Sequence, residues 1–290
     1  MTTPVTHASL PRLLPAYVSL AWQSMLGKRN TAASRAGTVQ VAENVRINPA
    51  SLRAYRAVCG YLPGIDVPIC FPHLPAGALQ LRILAAPGFP CDAAGLVHVS
   101  NSISQRRPIS VAATYTVECR LTGDEHTERG REFALKTEYR KGSTVAWEET
   151  MYFLKPDRNR KKKNSISYQD EWLHSDGVNQ LEIPVSGNTG RRYARVSGDY
   201  NPIHLYDFSA RLFGFPGKIA HGMWMLGRCI AEMQPAAGFK NATIEAQFKT
   251  PLFIPGSALL RYASKTGNTD FELHNPSLNR PNMLGRLTVF

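Results

Sequence analysis

The sequence has no cysteine framework to build on. Its five cysteines (Cys59, Cys70, Cys91, Cys119, Cys229) are odd in number, scattered and never spaced as CxxC. This argues against a disulfide-stapled fold and a cysteine-ligated metal, and points to a reducing compartment. HxxH and HExxH spacings are also missing among the eight histidines, so no metal site is expected. Long apolar runs are absent as well. The N-terminal candidate, Leu13 to Trp22, is short, contains Pro15, and lacks both a preceding basic cluster and a convincing cleavage site. It reads as a docking or capping helix rather than a span or a secretory signal. The ending Leu-Thr-Val-Phe is no peroxisomal address, and a cytoplasmic location is expected.

Acidic residues are few: 22 Asp and Glu against 34 Lys and Arg, a formal net charge of +12. Such a surplus points to an anionic partner: nucleic acid, membrane phosphate, a phosphate-bearing cofactor or an acidic protein. No helix-turn-helix, zinc-finger or RNP pattern accompanies it, so nucleic acid is not the expected partner.

At 290 residues and 43% hydrophobic, the chain is long enough for two packed domains. Residues 1–50 read as an N-terminal arm with a helix over about 12–26. Leu52, Tyr55 and Val58 keep helical spacing up to Gly60, and the Pro- and Gly-rich stretch 61–77 reads mostly as loop. Alternating stretches at 97–103, 109–121, 131–140 and 143–154 read as strands, up to a basic linker over 156–180 that crowds Arg158, Arg160, Lys161, Lys162 and Lys163. Beyond it, a strand at 181–185, a helix over 222–233 and strands near 243–250, 258–264, 270–273 and 284–290 repeat the same order. Strands joined by hairpin turns after one helix suit an antiparallel sheet wrapped round that helix.

The chemistry concentrates between Tyr193 and Met233. Asp199 and His204 sit five residues apart on a segment that Gly198, Asn201 and Pro202 hold out of regular structure. One carboxylate and one imidazole aimed at one spot form an acid/base pair. Further on, Ala220-His221-Gly222-Met223 precedes the apolar stripe Met223, Leu226, Ile230 and Met233, which puts Gly222 at a helix start. First-turn amides there lack intrahelical partners and suit a developing oxyanion.

This segment resembles the MaoC-like, or hydratase 2, family of enoyl-thioester hydratases and 3-hydroxyacyl-thioester dehydratases. Tyr193, Val196, Ser197, Gly198, Asp199, Asn201, Pro202, Ile203, His204 and Ala210 meet the family signature throughout. The resemblance implies an α+β double hot-dog fold, two antiparallel sheets each wrapped round a central helix and joined edge to edge. It also implies a hydro-lyase that adds water reversibly to trans-2-enoyl thioesters in fatty-acid metabolism, giving the (R)-3-hydroxyacyl form. In it, Asp199 and His204 form the catalytic pair, the Gly222 amide binds the thioester oxygen, and Asn201, Ser197 and His221 support them. No cofactor is implied. The substrate is an acyl-CoA or acyl-carrier-protein thioester, with Arg191, Arg192 and Lys218 expected near its phosphate, and the reading leaves room for a homodimer. Which of the pair moves which proton stays open. Two other readings share the pocket: a thioester hydrolase and a non-catalytic acyl-thioester binding protein.

An internal repeat accompanies the signature. Tyr55 to Gly60 parallels Tyr193 to Gly198, and Gly95 to His98 is aligned with Lys218 to His221. On the first match Asp199, Asn201 and His204 fall opposite Tyr61, Pro63 and Asp66; on the second, Gly222 falls opposite Val99. The expected organisation is therefore an arm (1–50), a first half without catalytic groups (51–155), the linker (156–180) and a catalytic half (181–290). The apolar stretch Pro75 to Pro90 reads as an insertion that lines an acyl-chain cradle.

Overall fold

The computed structural model describes residues 4–13, 38–64, 66–86, 88–93, 95–157, 178–235, 238–275 and 280–290. In chain order its elements are β1 (Val5–His7), β2 (Val39–Val45), α1 (Pro49–Cys59), α2 (His73–Leu84), β3 (Val97–Gln105), β4 (Tyr115–Thr127), β5 (Gly130–Lys141), β6 (Thr144–Pro156), β7 (Asn179–Val185), α3 (Thr189–Ser197), a 3₁₀ turn (Pro202–His204), α4 (Asp207–Leu212), α5 (Gly222–Met233), β8 (Ala242–Phe248), β9 (Gly256–Lys265), β10 (Asn268–His274) and β11 (Pro281–Val289). The expected N-terminal helix and the basic cluster of the linker lie almost wholly outside the described residues. Among the described residues no helix is long and apolar enough to cross a membrane.

Two compact units divide the molecule: one takes the described residues within 1–48 and 72–161, the other those within 49–71 and 162–290. In the first, strands run in the order β1-β2-β4-β5-β6-β3, with β1 parallel to β2 at the edge and the rest antiparallel. In the second the order is β7-β9-β10-β11-β8, antiparallel throughout. Apart from β1 the connections are the same scheme twice, with α2 the helix of the first sheet and α5 that of the second. This is the hot-dog arrangement expected.

A shared backbone feature fixes the correspondence between the halves. After β8, the amides of Lys249 and Thr250 both donate to the Asn282 carbonyl; after β3, those of Arg106 and Arg107 both donate to the Ala146 carbonyl. Asn282 therefore corresponds to Ala146, and by the strand registers Gly285 corresponds to Glu149 and Phe271 to Thr137.

Three sequence expectations change. The stretch read as loop and then as an apolar insertion contains α2, the helix of the first sheet, with Leu74, Ala76, Leu79 and Ile83 buried. Pro75 and Gly77 disguised it, although proline is tolerated in a first turn whose amides have no partner. Residues 97–105 form a strand, so Gly95 to His98 is not the counterpart of the segment leading into α5; Pro72 and His73, at the start of α2, take that place. Finally, residues 49–71 pack in the second unit rather than opening the first. The other half of the repeat does have a structural counterpart: α1 and α3 both end on a left-handed glycine, Gly60 at φ +79° and Gly198 at φ +75°. Tyr55 and Tyr193, which match in the repeat, are both fully buried.

The two helix–sheet interiors differ in kind. In the second sheet Gly285 leaves room for the Phe271 ring, which a Cβ there would meet at 2.2 Å. Trp224 buries its ring while its Nε1 donates to the Val58 carbonyl at 2.9 Å; burying such a ring is worth roughly 2–3 kcal/mol. Beneath α2 the matching position holds Glu149, 1% exposed. Gln80 Nε2 and Asn101 Nδ2 donate to it at 3.1 and 2.7 Å, and His73 Nδ1 lies 3.0 Å away. Burial alone would push its pKa up, but His73 and Asn101 outweigh it and hold the carboxyl below its ordinary value.

Candidate active site

The site is built on α3, the 3₁₀ turn and the start of α5, all in the second unit. Tyr193 and Ala194 face inward and hold α3 against the core. Gly198 then turns the chain, its amide donating to the Ala194 carbonyl at 2.8 Å. Ser197 sharpens the exit: its Oγ donates to the Tyr193 carbonyl at 2.9 Å and accepts the Asp199 amide at 3.1 Å. Asp199 Oδ1 accepts the Asn201 amide at 3.0 Å, and Asn201 Oδ1 faces the Ile203 amide at 3.4 Å. These local bonds make the loop rigid without regular structure. Gly190 lets α3 lie directly on the turn, since a Cβ there would sit 1.9 Å from the His204 carbonyl oxygen.

His204 is buried at the end of the turn, and its Nδ1 lies 2.9 Å from the Ile219 carbonyl. A carbonyl only accepts, so Nδ1 carries the hydrogen and Nε2 keeps its lone pair. His221 behaves in mirror fashion. Its Nε2 donates to the Asp199 backbone carbonyl at 3.0 Å, and its Nδ1, also buried, has no partner among the described residues. The rings of His204 and His221 stack with centroids 3.7 Å apart. Burial, more than anything else, lowers the pKa of both. His221, with His204 adding to the effect and Asp199 opposing it, falls to about 3. His204 is lowered too, with Asp199 and the Ile219 carbonyl opposing. Both imidazoles are therefore neutral at pH 7.

The Asp199 side chain is 47% exposed and gives the site its opening to solvent. A carboxylate oxygen of Asp199 and ring nitrogens of His204 and His221 all lie within 4.8 Å of one another. Donors of these types at this separation also form a set that a divalent cation takes. The expectation of no metal rested on missing HxxH spacings, which ligands carried by two separate segments do not need.

Gly222 is the first residue of α5, with His221 as its cap. Trp224 and Met225 already donate to the His221 carbonyl, whereas the Gly222 amide makes no hydrogen bond among the described residues. A Cβ at Gly222 would meet the Phe248 ring at 3.1 Å, so the helix start rests on that ring. Of the expected phosphate ligands, Lys218 is buried and its Nζ lies 3.1 Å from Asp207 Oδ2, which turns its charge inward. Arg191 donates to the Leu205 carbonyl at 3.1 Å with its guanidinium over the Tyr206 ring. Arg192 is exposed, and reaches the Ala57 carbonyl at 3.4 Å.

Sequence reasoning missed the segment that closes the site from behind. The Ala220 amide donates to the Leu252 carbonyl at 2.8 Å and the Ile254 amide to the Lys218 carbonyl at 3.1 Å. Asn282 anchors that segment. Its one signal is an asparagine beside the apolar run Met283–Leu284.

The chain is similar to known proteins. The family profile described as MaoC like domain matches residues 173–275. The 3-hydroxyacyl-thioester dehydratase X of Mycobacterium tuberculosis is 31% identical over 249 residues, 83% of this chain and 85% of that protein. The peroxisomal enoyl-CoA hydratase 2 of Arabidopsis thaliana is 28% identical over 61% of this chain and 62% of its own length. The crystal structure of HtdX of Mycobacterium tuberculosis superposes with a TM-score of 0.73 at 29% identity, over 87% of this chain and all of that one.

Proposed function

Because the chain belongs to the MaoC-like dehydratase family, we propose that it catalyses the reversible hydration of trans-2-enoyl thioesters to (R)-3-hydroxyacyl thioesters. The relatives named dehydratase and hydratase support the reaction class, a hydro-lyase of fatty-acid metabolism. The observation that carries the reading is the meeting of the Asp199 carboxylate and the neutral His204 imidazole on the turn.

Both groups present lone pairs, so together they hold one water by its two hydrogens. As the water oxygen bonds to C3, the C2–C3 π pair moves toward the thioester and one of the two takes a water proton. The Gly222 amide meets the charge that gathers on the thioester oxygen, a contribution of about 3 kcal/mol for a well-aimed donor. The group that took the water proton then delivers it to C2, which completes the addition and restores both lone pairs, and dehydration runs the same steps backward. Asn201 and Ser197 hold the Asp199 loop, and His221 holds both catalytic residues at once.

The acyl group comes as a CoA or carrier-protein thioester, with Arg191 and Arg192 as the cations nearest the phosphate. Five free thiols suit a reducing, cytoplasmic setting. Crotonyl-CoA and a crotonyl carrier protein, each mixed with the purified protein, test the reading. Conjugated-enoyl absorbance should fall with no free thiol released. Thiol release without hydration would replace hydration with thioester hydrolysis.

A further inference from the structure

The segment behind the catalytic turn hangs from one buried side chain. Asn282, fully buried at the start of β11, donates from Nδ2 to the Pro251 carbonyl at 3.0 Å, to Thr250 Oγ1 at 3.1 Å and, more loosely, to the Thr250 carbonyl at 3.4 Å. Thr250 Oγ1 in turn donates to the Pro281 carbonyl at 2.8 Å, which leaves its lone pair for Asn282. Backbone and side chain of one residue thus fix residues 249–251 from both sides.

What those residues hold is the active site. Beyond Pro251, the Leu252 carbonyl takes the Ala220 amide, Phe253 bridges Ile219, and the Ile254 amide reaches the Lys218 carbonyl. Residues 218–220 are therefore placed by the loop. They include the Ile219 carbonyl, which holds the hydrogen of His204 on Nδ1, and they lead directly into the helix start that presents Gly222.

The other half of the molecule supplies a control. There the same two-amide anchor is made to the Ala146 carbonyl, but alanine has no amide to hold the loop that follows. The sheet scheme does not require the clamp. It occurs in the half that carries the acid/base pair.

We propose that Asn282 is a positioning residue of the active site, acting through residues 249–254 to set both the His204 tautomer and the Gly222 amide. The inference rests on the hydration reading for its kinetic consequence, though not for its structural one. In Asn282→Ala, kcat for crotonyl-CoA hydration should fall about 10- to 100-fold with KM within about twofold, since small misplacements of reacting groups act on the chemical step. The acid limb of the kcat profile should shift with it. Thr250→Val, which removes the hydroxyl relay from a partly exposed site, should move kcat in the same direction and decides the matter if Asn282→Ala does not fold.

Imidazole nitrogen-15 shifts, assigned by comparison with His204→Gln, read the tautomer whether or not the protein turns over an enoyl thioester. They should show Nδ1–H for His204 in the parent and a mixture in Asn282→Ala, or in Thr250→Val where that is the folded variant. Parent-like kcat, or a pure Nδ1–H signal in the folded variant, would overturn the proposal. A parent protein without hydratase activity but with a variant-sensitive tautomer would sink the hydration reading and leave the positioning role standing.

Discussion

His221 and Asp199 are joined across 22 residues of chain by a bond from the imidazole Nε2 to the aspartate's backbone carbonyl, 3.0 Å long. The same ring stacks on His204, so one neutral side chain fixes the distance between the two proposed acid/base partners. Replacing it by phenylalanine keeps the stack and removes the bond. His221→Phe should therefore lower kcat by about tenfold or more with little change in KM. Steady-state kinetics on crotonyl-CoA check this, and an unchanged kcat would show that the bond does not place Asp199.

Burial of His221 also sets a pH dependence of stability. Its folded pKa of about 3 lies below the ordinary 6.5. The unfolded chain therefore binds the proton first, and stability present above pH 6.5 is lost as pH falls toward the folded value. For this one group the loss between pH 7 and pH 5 is about 2 kcal/mol. Urea unfolding at the two pH values should show a drop that shrinks by about that amount in His221→Phe. Equal drops in parent and variant would mean the imidazole is not held neutral.

How much of this was legible depended on the distance along the chain over which each feature is encoded. The turn from Ser197 to His204 is made by bonds between near neighbours, so its residue types announce it. The start and end of α5 followed from its apolar stripe. Asn282 acts on Thr250 and Pro251 from more than thirty residues away, and its one local signal, the apolar run beside it, does not name those partners. The helix α2 was hidden by Pro75 and Gly77, which propensity reads as loop while a buried face and a proline-tolerant first turn override it. Residues 49–71 show a further limit: local pattern marks α1 as a helix but cannot say which sheet it packs with.

Glu149 shows the same limit in the first unit, because a buried carboxylate looks like any glutamate in an alternating strand. Glu149→Ala removes one shared partner of His73, Gln80 and Asn101, and should cost about 3–5 kcal/mol at pH 7. With its folded pKa below the ordinary 4.5, the carboxylate's contribution is present above that value and lost as pH falls through the lower one. The gap between parent and variant in urea unfolding should therefore close in acid. A variant as stable as the parent at pH 7 would show that the ionised cluster adds nothing to the fold.

The most direct test of the whole account is hydration of crotonyl-CoA by Asp199→Asn and His204→Gln, followed by loss of the enoyl absorbance across a pH series. Each substitution should leave the fold intact and lower kcat by about 10² to 10⁴, the usual worth of a positioned acid or base. In the parent, the midpoint of the acid limb of the rate should lie below the 6.5 of an ordinary imidazole, because burial depresses the pKa of His204 and keeps its Nε2 lone pair available. Parent-like turnover in either folded variant would contradict the assignment of Asp199 and His204 as the catalytic pair.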